Sequence, residues 1–249
     1  KDPLNIGLIG AGRWGKNILK TIIKINDVNL SCVATKNKNI HSFISKDCKL
    51  YPNWKDLILD SKLDGIIIAT PPKTHFEIAK NCLLQRINIL VEKPLTLDLS
   101  EALFLKKLSI EMNTLLMTEF TQVFNPKFQK MQKSLGLIGD IKFIKTSASN
   151  FGPIRKDTPV IWDWGSHELS ILIALIGAKP EKIEFYRTMK ERNDKGDVSA
   201  WEIKCKFKKG IKSLSFVSNN FPKERQILLE GQKGIIILNE FKNSHLEYY

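Results

Sequence analysis

The run NIGLIGAGRWGKNILKTII, residues 5 to 23, constrains the fold more than any other stretch of the chain. It sets Gly10, Gly12 and Gly15 in Gly-x-Gly-x-x-Gly spacing, directly after an apolar strand-like segment and directly before a helix-like one. The first glycine suits a tight turn. The second lets a pyrophosphate approach backbone N–H groups at a helix N-terminus, and the third lets helix and strand pack closely. Alone, the spacing also fits a merely structural glycine-rich turn. At the head of an alternating series of strands and helices it points to dinucleotide binding, with Arg13 and Trp14 on the same loop as further cofactor-binding candidates.

Such a series follows. Strand-like runs at Ile6–Gly10, Val28–Thr35, Gly65–Thr70, Ile87–Glu92 and Thr114–Thr118 are separated by helix-like segments around 14–25, 54–60, 74–85 and 98–112. This βαβ alternation predicts a doubly wound parallel sheet of the Rossmann type over residues 1–120. Beyond Asn125 the texture changes. A strand over Gly139–Phe151, a buried helix over 165–177 and five strand-like runs near 181–188, 198–208, 211–218, 225–231 and 234–240 predict an α+β domain. Its sheet, mostly antiparallel and open-faced, occupies residues 121–249. Trp201, Ile203, Cys205 and Phe207 alternate with Glu202, Lys204, Lys206 and Lys208, so one face of that sheet is buried and the other wet.

Apolar residues make up 43% of 249, enough to fill a sizeable core, and the longest apolar stretches are too short to span a bilayer. Cys32, Cys48, Cys82 and Cys205 are scattered without Cys-x-x-Cys spacing, as reduced core thiols of a cytoplasmic, unexported protein would be. The formal charge of +13 is spread along the chain as isolated lysines. That pattern reads as solvated surface rather than a nucleic-acid footprint, although a basic field favours an anionic small molecule. No membrane partner and no metal site are expected.

The second strand ends CVATKNK, with Thr35 and Lys36 where NAD-binding folds place a carboxylate on the ribose 2′-hydroxyl. A hydroxyl and a cation favour the 2′-phosphate of NADP(H). If Lys36 is one more solvated lysine, NAD(H) stays open. Two further loops, IIIATPPKTH at 66–75 and NILVEKPL at 88–95, fall at strand carboxyl ends, the edge where such sheets bind ligands. Thr70, Pro71, His75, Glu92 and Lys93 are cofactor-binding candidates there, and His75 serves equally as a first-turn helix residue.

Taken with the glycine loop, these segments resemble the Gfo/Idh/MocA family of NAD(P)-dependent oxidoreductases. FNPKFQKM, GLIGDIKFIKTSASNFGPIRKD and VIWDWGSHELSILIALIG resemble its branch acting on sugars or sugar nucleotides. The resemblance implies hydride transfer between nicotinamide and a secondary alcohol or ketone. It also implies that Lys93 contacts the substrate hydroxyl, that His167 is the acid/base and that Asp163 is a substrate or lysine partner. The chemistry of the residues agrees, since such a transfer needs a proton acceptor and a positive charge beside the developing alkoxide.

Asp163 and His167 stand at i and i+4, where one helical face would let the carboxylate orient the imidazole. The plain alternatives are an N-cap for Asp163, beside Gly165 and Ser166, and a satisfied core histidine for His167. Asn125 and Arg155 are substrate-binding candidates, Arg155 for an anionic part, with Asp157 fixing its loop. A surface salt bridge explains that pair nearly as well.

Glu168 stands where relatives often have Asp, Ser166 where they often have Pro, and the chain ends soon after GIIILNEF. The resemblance further implies pairing of two copies through the open sheet face, here lined with lysines, so a homodimer sensitive to salt is expected. The rival reading is a catalytically silent dinucleotide-binding sensor on the same fold.

Overall fold

The computed structural model describes residues 2–59, 63–155, 158–194, 196–241 and 246–249. The chain separates into two units, Lys1–Glu119 and Phe120–Tyr249.

In the first unit every strand is parallel. The strands are β1 (Leu4–Ile9), β2 (Val28–Ala34), β3 (Lys49–Tyr51), β4 (Gly65–Ile68), β5 (Asn88–Glu92) and β6 (Leu116–Glu119), in the order β3-β2-β1-β4-β5-β6. Between them run α1 (Arg13–Ile22), α2 (Trp54–Ile58), α3 (His75–Leu84) and α4 (Leu99–Glu111). Apolar residues on both faces explain the layering, because successive side chains point to opposite sides of a strand. Leu8 packs with Leu19, Ile22 and Val33 on one face, and Ile9 with Ile68, Ile78 and Leu105 on the other. Each such buried side chain contributes on the order of 2 kcal/mol. Among the described residues the sheet has six strands rather than the five expected. Strand β3 escaped sequence reading because its three residues, KLY, show no buried position.

Strand order reverses at β1, since the chain adds β2 and β3 on one side and then β4, β5 and β6 on the other. Crevices beyond the strand ends form at such switch points.

The second unit begins with α5 (Pro126–Lys133) and β7 (Ile141–Phe151), then α6 (Val160–Asp163) and α7 (Gly165–Ile176). The strands β8 (Lys182–Asn193), β9 (Gly196–Lys206), β10 (Lys212–Ser218), β11 (Asn220–Gly231), β12 (Ile235–Asn239) and β13 (Leu246–Tyr248) follow. They form one sheet in the order β13-β12-β11-β7-β10-β9-β8, antiparallel except for the parallel pair β7 and β10. Helices α5 and α7 cover one face, with Phe128, Met131, Ile171 and Leu172 packed on Ile144, Ile203, Phe207 and Leu229. On β9 the expected alternation holds for Ile203 and Cys205, which are buried, against Lys204 and Lys206, which are exposed. All four cysteines are buried, and none is held in a disulfide. Among the described residues no helix is long and apolar enough to cross a membrane.

One expectation needs correction. Asp163 and His167 do not share a single helix: α6 ends at Asp163, and Trp164, at φ −108° and ψ −35°, interrupts it before α7 begins. Asp163 is not the N-cap of α7 either, for Trp164 holds that position and no side chain caps the helix.

Candidate active site

The carboxyl edge of the first sheet gathers the residues set aside for a cofactor. Gly10 follows β1, Thr35 and Lys36 follow β2, Thr70 and Pro71 come just beyond β4, and Glu92 ends β5 with Lys93 next. Gly10 has φ +96°, and a Cβ there would stand 2.6 Å from the Ala69 carbonyl oxygen. A Cβ on Gly15 would run into the Gly10 carbonyl oxygen. Gly12 is different, because nothing lies within 4 Å of where its Cβ would be. Two glycines thus shape the loop, and the third leaves space over it.

Helix α1 begins without a side-chain cap and without an acidic residue in its first turn. Its leading N–H groups therefore lack the usual side-chain acceptor, and the positive end of the helix dipole favours an anion there. Together with the open space at Gly12, this arrangement fits the pyrophosphate of a dinucleotide. A cleft of about 530 Å³ continues from the loop, lined by Gly10, Gly12, Thr35, Lys36, Asn37, Trp54, Thr70 and Pro71. Among the described residues no carboxylate lines it.

Asn37 and Trp54 were not singled out from sequence. The Asn37 amide donates to Thr35 Oγ1 at 3.0 Å, and its Nδ2 donates to the Ala11 carbonyl at 3.1 Å, tying the end of β2 to the glycine loop. An Asn closing a turn after a strand is a signal that could have found it.

At the other end of this edge Glu92 and Glu119 face each other in the parallel register of β5 and β6. Burial first, then a hydrogen bond and like charge from Glu119, push the Glu92 carboxyl up to about 9. The indole Nε1 of Trp14, itself half exposed, donates to Glu119 Oε2 at 3.4 Å, and the Lys93 amide donates to Glu92 Oε2 at 3.3 Å. Glu119 gave no sequence signal, since the motif ends long before it. Arg13 opens α1 at the surface. His75 is the first residue of α3 and wholly buried, with Nδ1 2.9 Å from the Pro94 carbonyl oxygen and Nε2 2.8 Å from that of Thr70. Burial lowers its pKa below 6.5 against the pull of those carbonyls. With no surface exposed, His75 supports the wall of the cleft from behind.

In the second unit Asp163 is buried and takes the Arg155 guanidinium at 3.3 Å, while Arg155 stays half exposed. Asp157 lies outside the described residues. His167 sits in the first turn of α7, 8% exposed, with its backbone N–H on the Trp164 carbonyl and its ring edge-on to Phe120 at 6.2 Å. Asn125 N-caps α5 by accepting from the Lys127 amide, and its Nδ2 donates to Glu240 Oε1 at 3.3 Å. That contact leads to a network the sequence did not reveal. Arg225 lies between Glu168 at 3.6 Å and Glu240 at 3.7 Å. Burial raises the pKa of Glu168 and of Glu240, and the Arg225 charge opposes both shifts.

Comparison with known proteins gives a consistent picture. Residues 4–120 match the model of the GFO_IDH_MocA oxidoreductase family, described as an NAD-binding Rossmann fold. The chain is 22% identical to myo-inositol 2-dehydrogenase of Thermotoga maritima, over 97% of this chain and 77% of that protein. It is 26% identical to UDP-N-acetylglucosamine 3-dehydrogenase of Acidithiobacillus ferrooxidans, over 71% of this chain and 56% of the relative. A solved structure from Magnetospirillum magnetotacticum MS-1 superposes with a TM-score of 0.95 at 29% identity, covering 100% of this chain and 81% of that one.

Proposed function

We propose, from the premise that the chain belongs to the Gfo/Idh/MocA family of NAD(P)-dependent oxidoreductases, that it moves a hydride between nicotinamide and a secondary alcohol or ketone of a sugar or nucleotide sugar. The observation that carries this reading is the placement of Lys93. It follows β5 at the same sheet edge as the glycine loop of β1 and the Thr70–Pro71 turn beyond β4. Relatives named for inositol and for a UDP-sugar support the substrate class.

When bound, the cofactor supplies the hydride acceptor at its nicotinamide. Gly12 and the α1 N-terminus would hold the pyrophosphate, and Arg13, Trp14, Thr70, Pro71, Glu92 and Lys93 would contact other parts of the cofactor. Thr35 and Lys36 favour the 2′-phosphate of NADP(H), a choice supported by the lack of a carboxylate among the described residues of the cleft lining. The Lys93 ammonium stabilises negative charge on the substrate oxygen, and His167 takes the hydroxyl proton during oxidation or returns it during reduction. Asp163, steadied by Arg155, accepts a hydrogen bond from the substrate, and Asn125 and Arg155 bind the sugar.

Four buried cysteines outside any disulfide fit a reducing cytoplasm. The proposed homodimer pairs through the wet face of the second sheet, where Glu202 at 3.7 Å from Lys204 and Glu184 at 2.9 Å from Lys182 offset lysine charge that would otherwise repel its copy across the two-fold axis.

The test is a panel of sugars and nucleotide sugars offered with NAD⁺ and NADP⁺, read by absorbance of the reduced nicotinamide. Turnover of at least one member is expected, faster with NADP⁺. Tight cofactor binding with no turnover across the panel would favour the sensor reading instead.

A further inference from the structure

The Lys93 turn has a buried neighbour whose chemistry exceeds what packing needs. His75 contributes a ring that is 0% exposed, on a helix start where Ile, Leu or Phe would fill the same space without desolvating a polar group. Instead the ring meets two backbone carbonyls on opposite edges, Pro94 at 2.9 Å and Thr70 at 2.8 Å. Those carbonyls belong to different loops. Thr70 closes the segment after β4, and Pro94 directly follows Lys93 after β5.

We propose that His75 is a positioning residue for Lys93: its ring is seated between the Thr70 and Pro94 carbonyls, donates its N–H to one of them and fills the space against the other, and so fixes where the lysine stands relative to the glycine-loop cleft. The proposal deepens the dehydrogenase reading and rests on the role given there to Lys93. Local structure delivers the ring to its place. Thr74 donates its hydroxyl hydrogen within reach of both Thr70 Oγ1 and the Pro71 carbonyl, each at 2.8 Å, and its backbone N–H donates to Pro71 O at 2.9 Å. That closed turn brings residue 75 back over the Thr70 carbonyl. The next step, from the first residue of α3 to Pro94, is made across the buried contact of α3 with β5.

A histidine suits the task because it has one nitrogen on each edge and can give a hydrogen from either. A neutral ring donates to one carbonyl at a time, and only the imidazolium satisfies both. Either form holds at least one loop, while Phe would hold neither. Lys93 is a long, flexible side chain, so its ammonium is no better placed than the backbone it springs from. A displacement of about 1 Å at a catalytic group can cost on the order of 100-fold in rate.

The test is a double-mutant cycle with His75→Phe, which keeps ring volume and removes the ring's hydrogen bonding to the two loops, and Lys93→Met. In the parent background His75→Phe is expected to lower kcat by roughly 10-fold or more with cofactor Kd within about 3-fold, and His75→Gln to recover part of the loss. In the Lys93→Met background the same substitution is expected to change kcat by less than about 2-fold. An equal fall in both backgrounds, or parent-like kcat in His75→Phe, overturns the proposal.

Two measurements stand apart from activity and separate this proposal from the dehydrogenase reading. In the parent protein, nitrogen-15 NMR of the His75 ring is expected to show a ring N–H protected from solvent exchange. A freely exchanging ring proton contradicts the proposal even if the His75→Phe variant does not fold. In folded His75→Phe, the Lys93 amide, which donates to Glu92 Oε2, is expected to lose protection from hydrogen exchange relative to the Ile89 amide inside β5. Unchanged protection contradicts it.

Discussion

The two units hold their candidate residues in different ways. In the first, backbone does most of the holding: a left-handed Gly10, a helix start without a side-chain cap and carbonyls received by a buried ring. In the second, side chains hold side chains, with Arg155 on Asp163 and Arg225 between Glu168 and Glu240. A backbone-built site depends on where glycine and proline fall, so it survives as spacing in the sequence. A side-chain network depends on residues distant in the chain, such as 168, 225 and 240, and leaves no local trace.

The sharpest way to break this contrast is to add one methyl group to the loop. Gly15→Ala drives a Cβ into the Gly10 carbonyl, whereas Gly12→Ala meets nothing in the free protein. Gly15→Ala is expected to lower both Tm and cofactor affinity, the latter by ~100-fold or more, because loop and helix must separate. Gly12→Ala is expected to leave Tm nearly unchanged and still weaken the cofactor by ~10-fold or more. Thermal melts with cofactor titrations check this, and equal Tm losses for both would undo the assignment of Gly12 to the ligand.

The second unit is expected to break at Arg225. Its side chain is 15% exposed and serves two acidic partners, so Arg225→Met strands the buried Glu168 carboxyl beside the partly buried Glu240 and should cost about 3 kcal/mol in urea unfolding. Glu168 softens the loss by taking a proton, since burial already raises its pKa. A change below about 0.5 kcal/mol would mean that the network is not a structural brace.

A pH experiment sharpens the comparison at the first unit's edge. Glu92, held up to about 9 from an ordinary value of 4.5, keeps a proton in the folded chain that the unfolded chain releases between those values. The folded state therefore binds more protons there, and stability falls as pH rises across that window. Glu92→Gln removes this dependence. Between about pH 6 and pH 8 the parent should lose roughly 1 kcal/mol or more relative to the variant, and parallel profiles would show that the Glu92 carboxyl ionises normally.

The smallest effect concerns cofactor choice. Fluorescence titration is expected to show NADPH bound more tightly than NADH, with Lys36→Asp narrowing or reversing a preference of ~10-fold. Tighter NADH binding by the parent protein contradicts the reading of Thr35 and Lys36.

Much of the fold was legible for physical reasons that particular elements show. β1, β2, β4 and β5 read as apolar runs because helices cover both faces of a parallel sheet. β9 read as alternation because only one face of its sheet is covered. β3 did not read, since three residues without a buried position carry no period. On β8 the sequence suggested an end near residue 188, yet the strand continues to Asn193 through RTMKERN, because an edge strand exposed on both faces needs no apolar pattern.

At the candidate site, the loop after β5 marked Lys93, and the four-residue spacing of Asp163 and His167 suggested one helical face. The i, i+4 rule presumes an unbroken helix, and Trp164 interrupts this one. His75 offered a helix start and a cofactor wall as equal readings. Both were incomplete, because one of the two carbonyls its ring meets, that of Pro94, lies 19 residues away and on another strand's loop.

The central claim is that Lys93 acts in the transition state of a hydride transfer for which the first unit binds the cofactor. Lys93→Met tests it most directly, with kcat measured on the best substrate of the sugar panel and cofactor Kd measured by fluorescence on the same preparations. The account predicts a kcat at least ~100-fold below the parent with Kd little changed, as expected for a group that stabilises charge only as it develops. Equal turnover by variant and parent would contradict it.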